Sequence, residues 1–154
     1  MLYEQIVLNS PSFKNILVPM DGSEQSIRAL DLALRLAKSQ GARLTTLYVI
    51  HSSTVVYPSD QATTARILET KEHDYGRAVL EIAKKKADEI GIEIHTEMVR
   101  GYAVPHRIAE YAKDGGYDLI AMGTRGRSGI KRVLLGSVAF GVVSYSDCNV
   151  LVVR

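Results

Sequence analysis

Apolar residues along this chain fall into two alternating rhythms: short continuous runs, and longer stretches where they recur every three or four positions. Residues 15–19 form the first run, stopping at the turn signal Asp21-Gly22-Ser23. From Ser23 to about Ser39, Ile27, Leu30, Leu34 and Ala37 step with helical period, Ser23 serving as an N-cap and Gly41 as a stop. Residues 44–50 read as strand, and the Ser/Thr-rich stretch 51–64 with Pro58 reads as loop. A long helix is predicted over about 65–90, with Tyr75, Val79, Ile82, Ala83 and Ile90 on one side and Lys84, Lys85, Lys86, Asp88 and Glu89 facing solvent. Residues 92–99 alternate apolar and polar, which predicts a half-exposed strand near a sheet edge, broken by Gly101. A helix over about 104–114 ending at Gly115-Gly116, a strand at 119–122, a helix over about 137–146 and a strand at 149–153 complete the pattern. Five strands alternating with four helices predict an α/β fold: one doubly wound domain, Rossmann-like, with a parallel sheet covered on both faces.

Composition narrows the functional classes more than the fold. At 154 residues, 46% hydrophobic and 23% charged, the chain fits one soluble globular domain. A net charge of +2 does not by itself argue for nucleic acid or an anionic membrane. No apolar run reaches membrane-spanning length, and the first residues lack a basic region followed by a long apolar stretch, so a cytoplasmic protein without membrane attachment is expected. The single cysteine, Cys148, precludes an intrachain disulfide and reads as a buried thiol. His51, His73 and His95 show no metal-ligand spacing, and His106, beside Pro105, reads as structural. Residues 1–12 fit the alternating scheme poorly, and Ile6-Val7-Leu8 is open to three readings: an extra edge strand, a partner contact or a disordered arm.

The sharpest chemical signal follows the strand at 119–122. Gly123-x-x-Gly126 is followed, after nine residues, by Gly136-Ser137 at the start of a helix. Glycines just past a strand let backbone approach a ligand closely, and N–H groups opening the next helix favour an anion. Arg125, Arg127, Lys131 and Arg132 lie among these glycines, which points to phosphate. The same basic residues also suit an ordinary solvated face, and Asp21 also suits a turn or helix cap.

With strand pattern and glycine spacing together, the chain resembles the universal stress proteins of the ATP-binding, glycine-motif type. The resemblance rests on Ile16-Leu17-Val18-Pro19-Met20-Asp21-Gly22-Ser23, Leu47-Tyr48-Val49, Gly101 with Pro105 and His106, Met122 to Gly126, Leu135-Gly136-Ser137 and the closing Cys148 to Val153. It spans about residues 13–154, treated as one nucleotide-binding domain, and leaves 1–12 as an N-terminal extension longer than the family usually has.

The resemblance implies strand order 3-2-1-4-5, with ATP held at the switch point between the first and fourth strands. Asp21 would then meet the ribose hydroxyls or adenine side, Pro19 and Met20 would wall the base, and Val49 would offer backbone to the adenine edge. Met122, Gly123, Arg125, Gly126, Gly136, Ser137 and Val138 would enclose ribose and phosphates, with Mg²⁺ a candidate companion ion. It also implies a homodimer through the last strand, Val150 to Val153, which would otherwise be an exposed apolar edge. No general base or Walker lysine pattern is evident, so a regulatory stress-response module that binds ATP is expected rather than a fast enzyme. The alternatives are slow ATP hydrolysis, with Asp21 carrying a metal and Arg125 stabilising charge, and a nucleotide-independent dimeric interaction module. Nucleic-acid binding would rest on the basic cluster alone.

Overall fold

Ile16, Leu17 and Val18 are wholly buried, with Ile16 and Val18 facing one helical layer and Leu17 the other. A strand apolar on both faces can only be central, and β1 (Asn15–Pro19) sits in the middle of the sheet. The computed structural model describes residues 12–52, 58–59, 61–127 and 134–154; the readings of Ile6-Val7-Leu8 lie outside these.

The chain continues through α1 (Glu24–Gln40), β2 (Arg43–His51), α2 (Ala62–Glu89), β3 (His95–Gly101), α3 (Val104–Asp114), β4 (Leu119–Gly123), α4 (Ser137–Tyr145) and β5 (Asn149–Val153). Every strand pairing is parallel, and the order is β3-β2-β1-β4-β5, as expected. α1 and α2 cover one face, packing Leu30, Leu34, Val79 and Ala83 against Ile16, Val18, Tyr48 and Leu119. α3 and α4 cover the other, packing Ile108, Ala112, Ala139 and Val142 against Leu17, Leu47, Ile120 and Met122. The helix starting at Ser23 is capped as predicted, the Ser23 hydroxyl accepting from the Ser26 N–H at 3.2 Å.

Two details differ from the sequence expectation. The third strand begins at His95 rather than Ile92, because the N–H groups of Ile90, Gly91 and Ile92 turn back onto the last carbonyls of α2. On α2 the buried stripe is Gly76, Val79, Leu80, Ala83 and Ala87, so Tyr75 and Ile82 lie at its exposed flanks. Gly76 is pressed against the Tyr48 ring, where a Cβ would come within 2.5 Å. At the amino end of the sheet, the Asp118 carboxylate accepts the backbone N–H groups of Lys14 (2.8 Å) and Asn15 (3.1 Å), locking β4 to β1. Among the described residues, no helix is long and apolar enough to cross a membrane.

Candidate functional site

The two central strands part company toward their carboxyl ends. β1 pairs with β4 only at Ile16↔Leu119 and Leu17↔Ile120, whereas its pairing with β2 continues to Pro19↔Leu47. The parting opens a crevice at the switch point of the sheet, where ligands of open α/β folds generally sit. A cavity of about 260 Å³ occupies it.

Every residue expected at the site lines this cavity: Pro19, Met20 and Asp21 from the end of β1, Val49 from β2, Met122, Gly123, Arg125 and Gly126 from the end of β4, and Gly136, Ser137 and Val138 from the start of α4. Val49 is placed to use its backbone. Ser52 N–H bonds to Gly101 of β3 and Leu47 C=O accepts from Met20, so even-numbered residues of β2 turn their peptide groups to β3 and odd-numbered ones to β1. β1 has ended by Val49, and its N–H and C=O therefore face the crevice. Across from it, α4 opens at Gly136 with no side chain capping its first turn, and its first-turn residues Ser137, Val138 and Ala139 line the cavity.

Asp21 has a second task that its residue type alone did not specify. Its Oδ1 accepts the Ser23 N–H (2.9 Å) and its Oδ2 the Arg127 N–H (3.0 Å), so the carboxylate fastens the glycine loop to the end of β1. The intervening Gly22 has φ of +81°, a conformation that suits glycine. The glycines likewise act on protein as well as on open space. A Cβ at Gly126 would lie 2.6 Å from Asp21 Oδ2, and one at Gly123 would lie 2.7–3.0 Å from Gln25 and the Ser26 nitrogen of α1. Gly123 is thus required by the packing of β4 on α1. Gly136 N–H donates to Thr124 C=O at 2.7 Å, which sets where α4 begins.

A polar cluster from α2 completes the wall. Glu72 Oε1 accepts the Tyr48 hydroxyl at 2.5 Å and Arg127 Nη2 at 3.1 Å, and the Arg127 guanidinium lies 4.6 Å from the Tyr75 ring centre. The Tyr75 hydroxyl in turn donates to Asp21 C=O at 3.2 Å. Sequence reasoning assigned no role to Glu72 or Tyr48: a glutamate within a helix and a tyrosine within an apolar strand carry no local mark of a site. Arg127 was one of the expected basic residues; Lys131 and Arg132 lie outside the described residues.

Burial, followed by donation to Glu72, pushes the Tyr48 phenol well above its ordinary range. Burial, followed by its neighbour Tyr117, pushes Tyr111 up to about 12. Both shifts favour the neutral phenol in the folded state. Their contribution is fully present below the unfolded pKa of about 10 and is lost as pH rises through the folded values. Urea denaturation between pH 9 and 12 should therefore show stability falling above about pH 10, with a shallower fall in Tyr48→Phe.

A model of the universal stress protein family matches residues 12–154. The chain belongs to the universal stress protein family. It is 39% identical over 142 residues to a universal stress protein of Methanocaldococcus jannaschii, covering 92% of this chain and 82% of that one. The solved universal stress protein UspA from Lactobacillus plantarum superposes with a TM-score of 0.84 at 28% identity, covering 94% of this chain and all of the other. A universal stress protein solved in complex with cAMP superposes with a TM-score of 0.70 at 27% identity, covering 94% and 99% respectively. The family's open five-stranded sheet is the one built here by alternating buried strands and amphipathic helices.

Proposed function

We propose that this universal stress protein binds ATP in the crevice between β1 and β4, as a nucleotide-responsive module rather than a fast enzyme. The observation that carries the reading is convergence. Four segments far apart in sequence supply one cavity with an apolar wall (Pro19, Met20, Val49), free strand backbone at Val49, and an uncapped helix start at Gly136-Ser137. Adenine suits the first two, since Val49 can donate and accept in its plane. Phosphates suit the third, where Ser137 can donate and helix N–H groups favour negative charge. The cAMP-bound relative supports an adenine nucleotide as the ligand class. The cavity of about 260 Å³ is near the lower end of small-molecule sites, which run from roughly 300 Å³; it accommodates the nucleoside with the phosphates toward its open side. The test is calorimetric titration of nucleotide-stripped protein with ATP and Mg²⁺. Saturable binding at one site per chain is expected, and absence of heat at millimolar ATP would reject the reading.

The same protein is proposed to pair as a homodimer through β5, which ends the sheet with Val150, Leu151, Val152 and Val153 only half-buried. Val153 C=O accepts from Thr124 on the β4 side, so the peptide groups of Val152 face outward. Val152→Pro should remove an outward N–H while sparing the ladder with β4. Light scattering is expected to report a dimer for the parent and a folded monomer for the variant.

A further inference from the structure

Glu72 and Arg127 form an ion pair that the nucleotide reading does not use, yet both line the same cavity. Glu72 comes from α2 and Arg127 from the glycine loop. Three contacts hold the arginine: its Nη2 on Glu72 Oε1 at 3.1 Å, its guanidinium 4.6 Å from the Tyr75 ring centre, and its backbone N–H on Asp21 Oδ2 at 3.0 Å. Glu72 is held from the other side by the Tyr48 hydroxyl on the same oxygen. Arg127 is exposed, at 48%, and Glu72 half-buried, at 31%, so solvent screens the pair in part. A guanidinium beside a phosphate-binding loop would ordinarily be read as a phosphate ligand. Here its charge is already matched by a carboxylate on the opposite wall.

Building on the proposed nucleotide site, we infer that Glu72 is a specificity-determining residue: by pairing with Arg127 it holds the crevice wall near neutral and limits the preference for polyphosphate over the bare nucleoside. Charge alone orders the variants. The parent pair sums to zero, Glu72→Gln leaves +1, Arg127→Ala leaves −1, and the double variant returns to zero. A triphosphate feels this local charge far more than adenosine does. Gln at 72 keeps an oxygen for the Tyr48 hydroxyl, so the wall retains its shape.

The experiment measures the ratio of ATP to adenosine affinity for the parent and all three variants, at two ionic strengths and with circular dichroism on each. The ratio should rise by on the order of tenfold in Glu72→Gln, fall by a similar factor in Arg127→Ala, and return to the parental value in the double variant. Higher salt should shrink both excursions. A double variant whose ratio stays as low as that of Arg127→Ala would overturn the inference, because Arg127 would then be an ordinary phosphate ligand. An unchanged ratio in Glu72→Gln would overturn it as well, with ATP binding intact. Should Glu72→Gln misfold, Glu72→Ala takes its place, with the same rise expected and an unchanged ratio overturning the inference. If the parent binds neither ATP nor adenosine, the nucleotide reading itself fails and the inference falls with it.

Discussion

Gly123→Val should cost the fold before it costs any ligand. The new Cβ would stand 2.7 Å from Gln25 Cβ, 2.8 Å from the Gln25 carbonyl carbon and 3.0 Å from the Ser26 nitrogen. Two of these three atoms are backbone in the first turn of α1, so no side-chain rotation relieves the clash. α1 is anchored at the same point by the Ser23 cap and farther along by Leu30, Ala33 and Leu34 in the core. Either β4 or the helix must shift, and overpacking of this kind costs about 3 kcal/mol. For a domain of this size that corresponds to a drop of about 10 °C in the thermal midpoint, readable by calorimetry or by circular dichroism. A midpoint within a degree of the parent would show that the β4–α1 contact yields easily.

Gly126→Val is expected to do the reverse, keeping the fold and losing the nucleotide. Its Cβ would meet Asp21 Oδ2 at 2.6 Å, and the next atom within reach is only the Asp21 carboxyl carbon at 3.9 Å. The carboxylate can swing away, but then it releases the Ser23 and Arg127 N–H groups and the loop loses its fastening to β1. Two charge-assisted bonds are at stake, one exposed and one only part-buried, so water replaces much of what they contribute. Much of the folded state survives such a loss, since α1, α2 and the sheet do not depend on it, whereas the proposed phosphate side of the crevice does. ATP affinity should fall on the order of a hundredfold, while the far-ultraviolet spectrum stays that of the parent. Undiminished affinity would mean that loop position is irrelevant to binding.

These two glycines also mark how far the sequence was legible. Their spacing, together with Asp21 and the apolar runs, announced an open parallel sheet with a crevice beside β4. Such features are local, since strand burial and helical period are written into consecutive residues. What each glycine touches is not local. Gly123 and Gly126 are alike in the sequence, yet one meets a helix backbone and the other a carboxylate more than a hundred residues away. Tyr48 and Glu72 carry no local mark of a site for the same reason, as their pairing exists only once α2 lies across the end of β2. Tyr75 and Ile82 lie on the exposed side of α2 although they share its apolar periodicity, which fixes a helix face only to within a residue or so. The periodicity places the onset of β3 too early because Ile92 and Ile94 are apolar enough to pack on the core without joining the ladder.

The Asp21–Arg127 fastening also bears on when the crevice comes into being. Its partners are 106 residues apart, and the Asp118–Lys14 bond at the opposite end of the sheet closes a span of 104. Contacts this distant are entropically expensive to close and tend to slow folding. A chain emerging from its N-terminus can assemble β1, α1 and β2 early, but the far wall of the crevice arrives only with β4 and α4. Growing chains and fragments cut before β4 therefore have no completed crevice, and a ligand bound at the proposed site would report that β4 and α4 have joined the sheet.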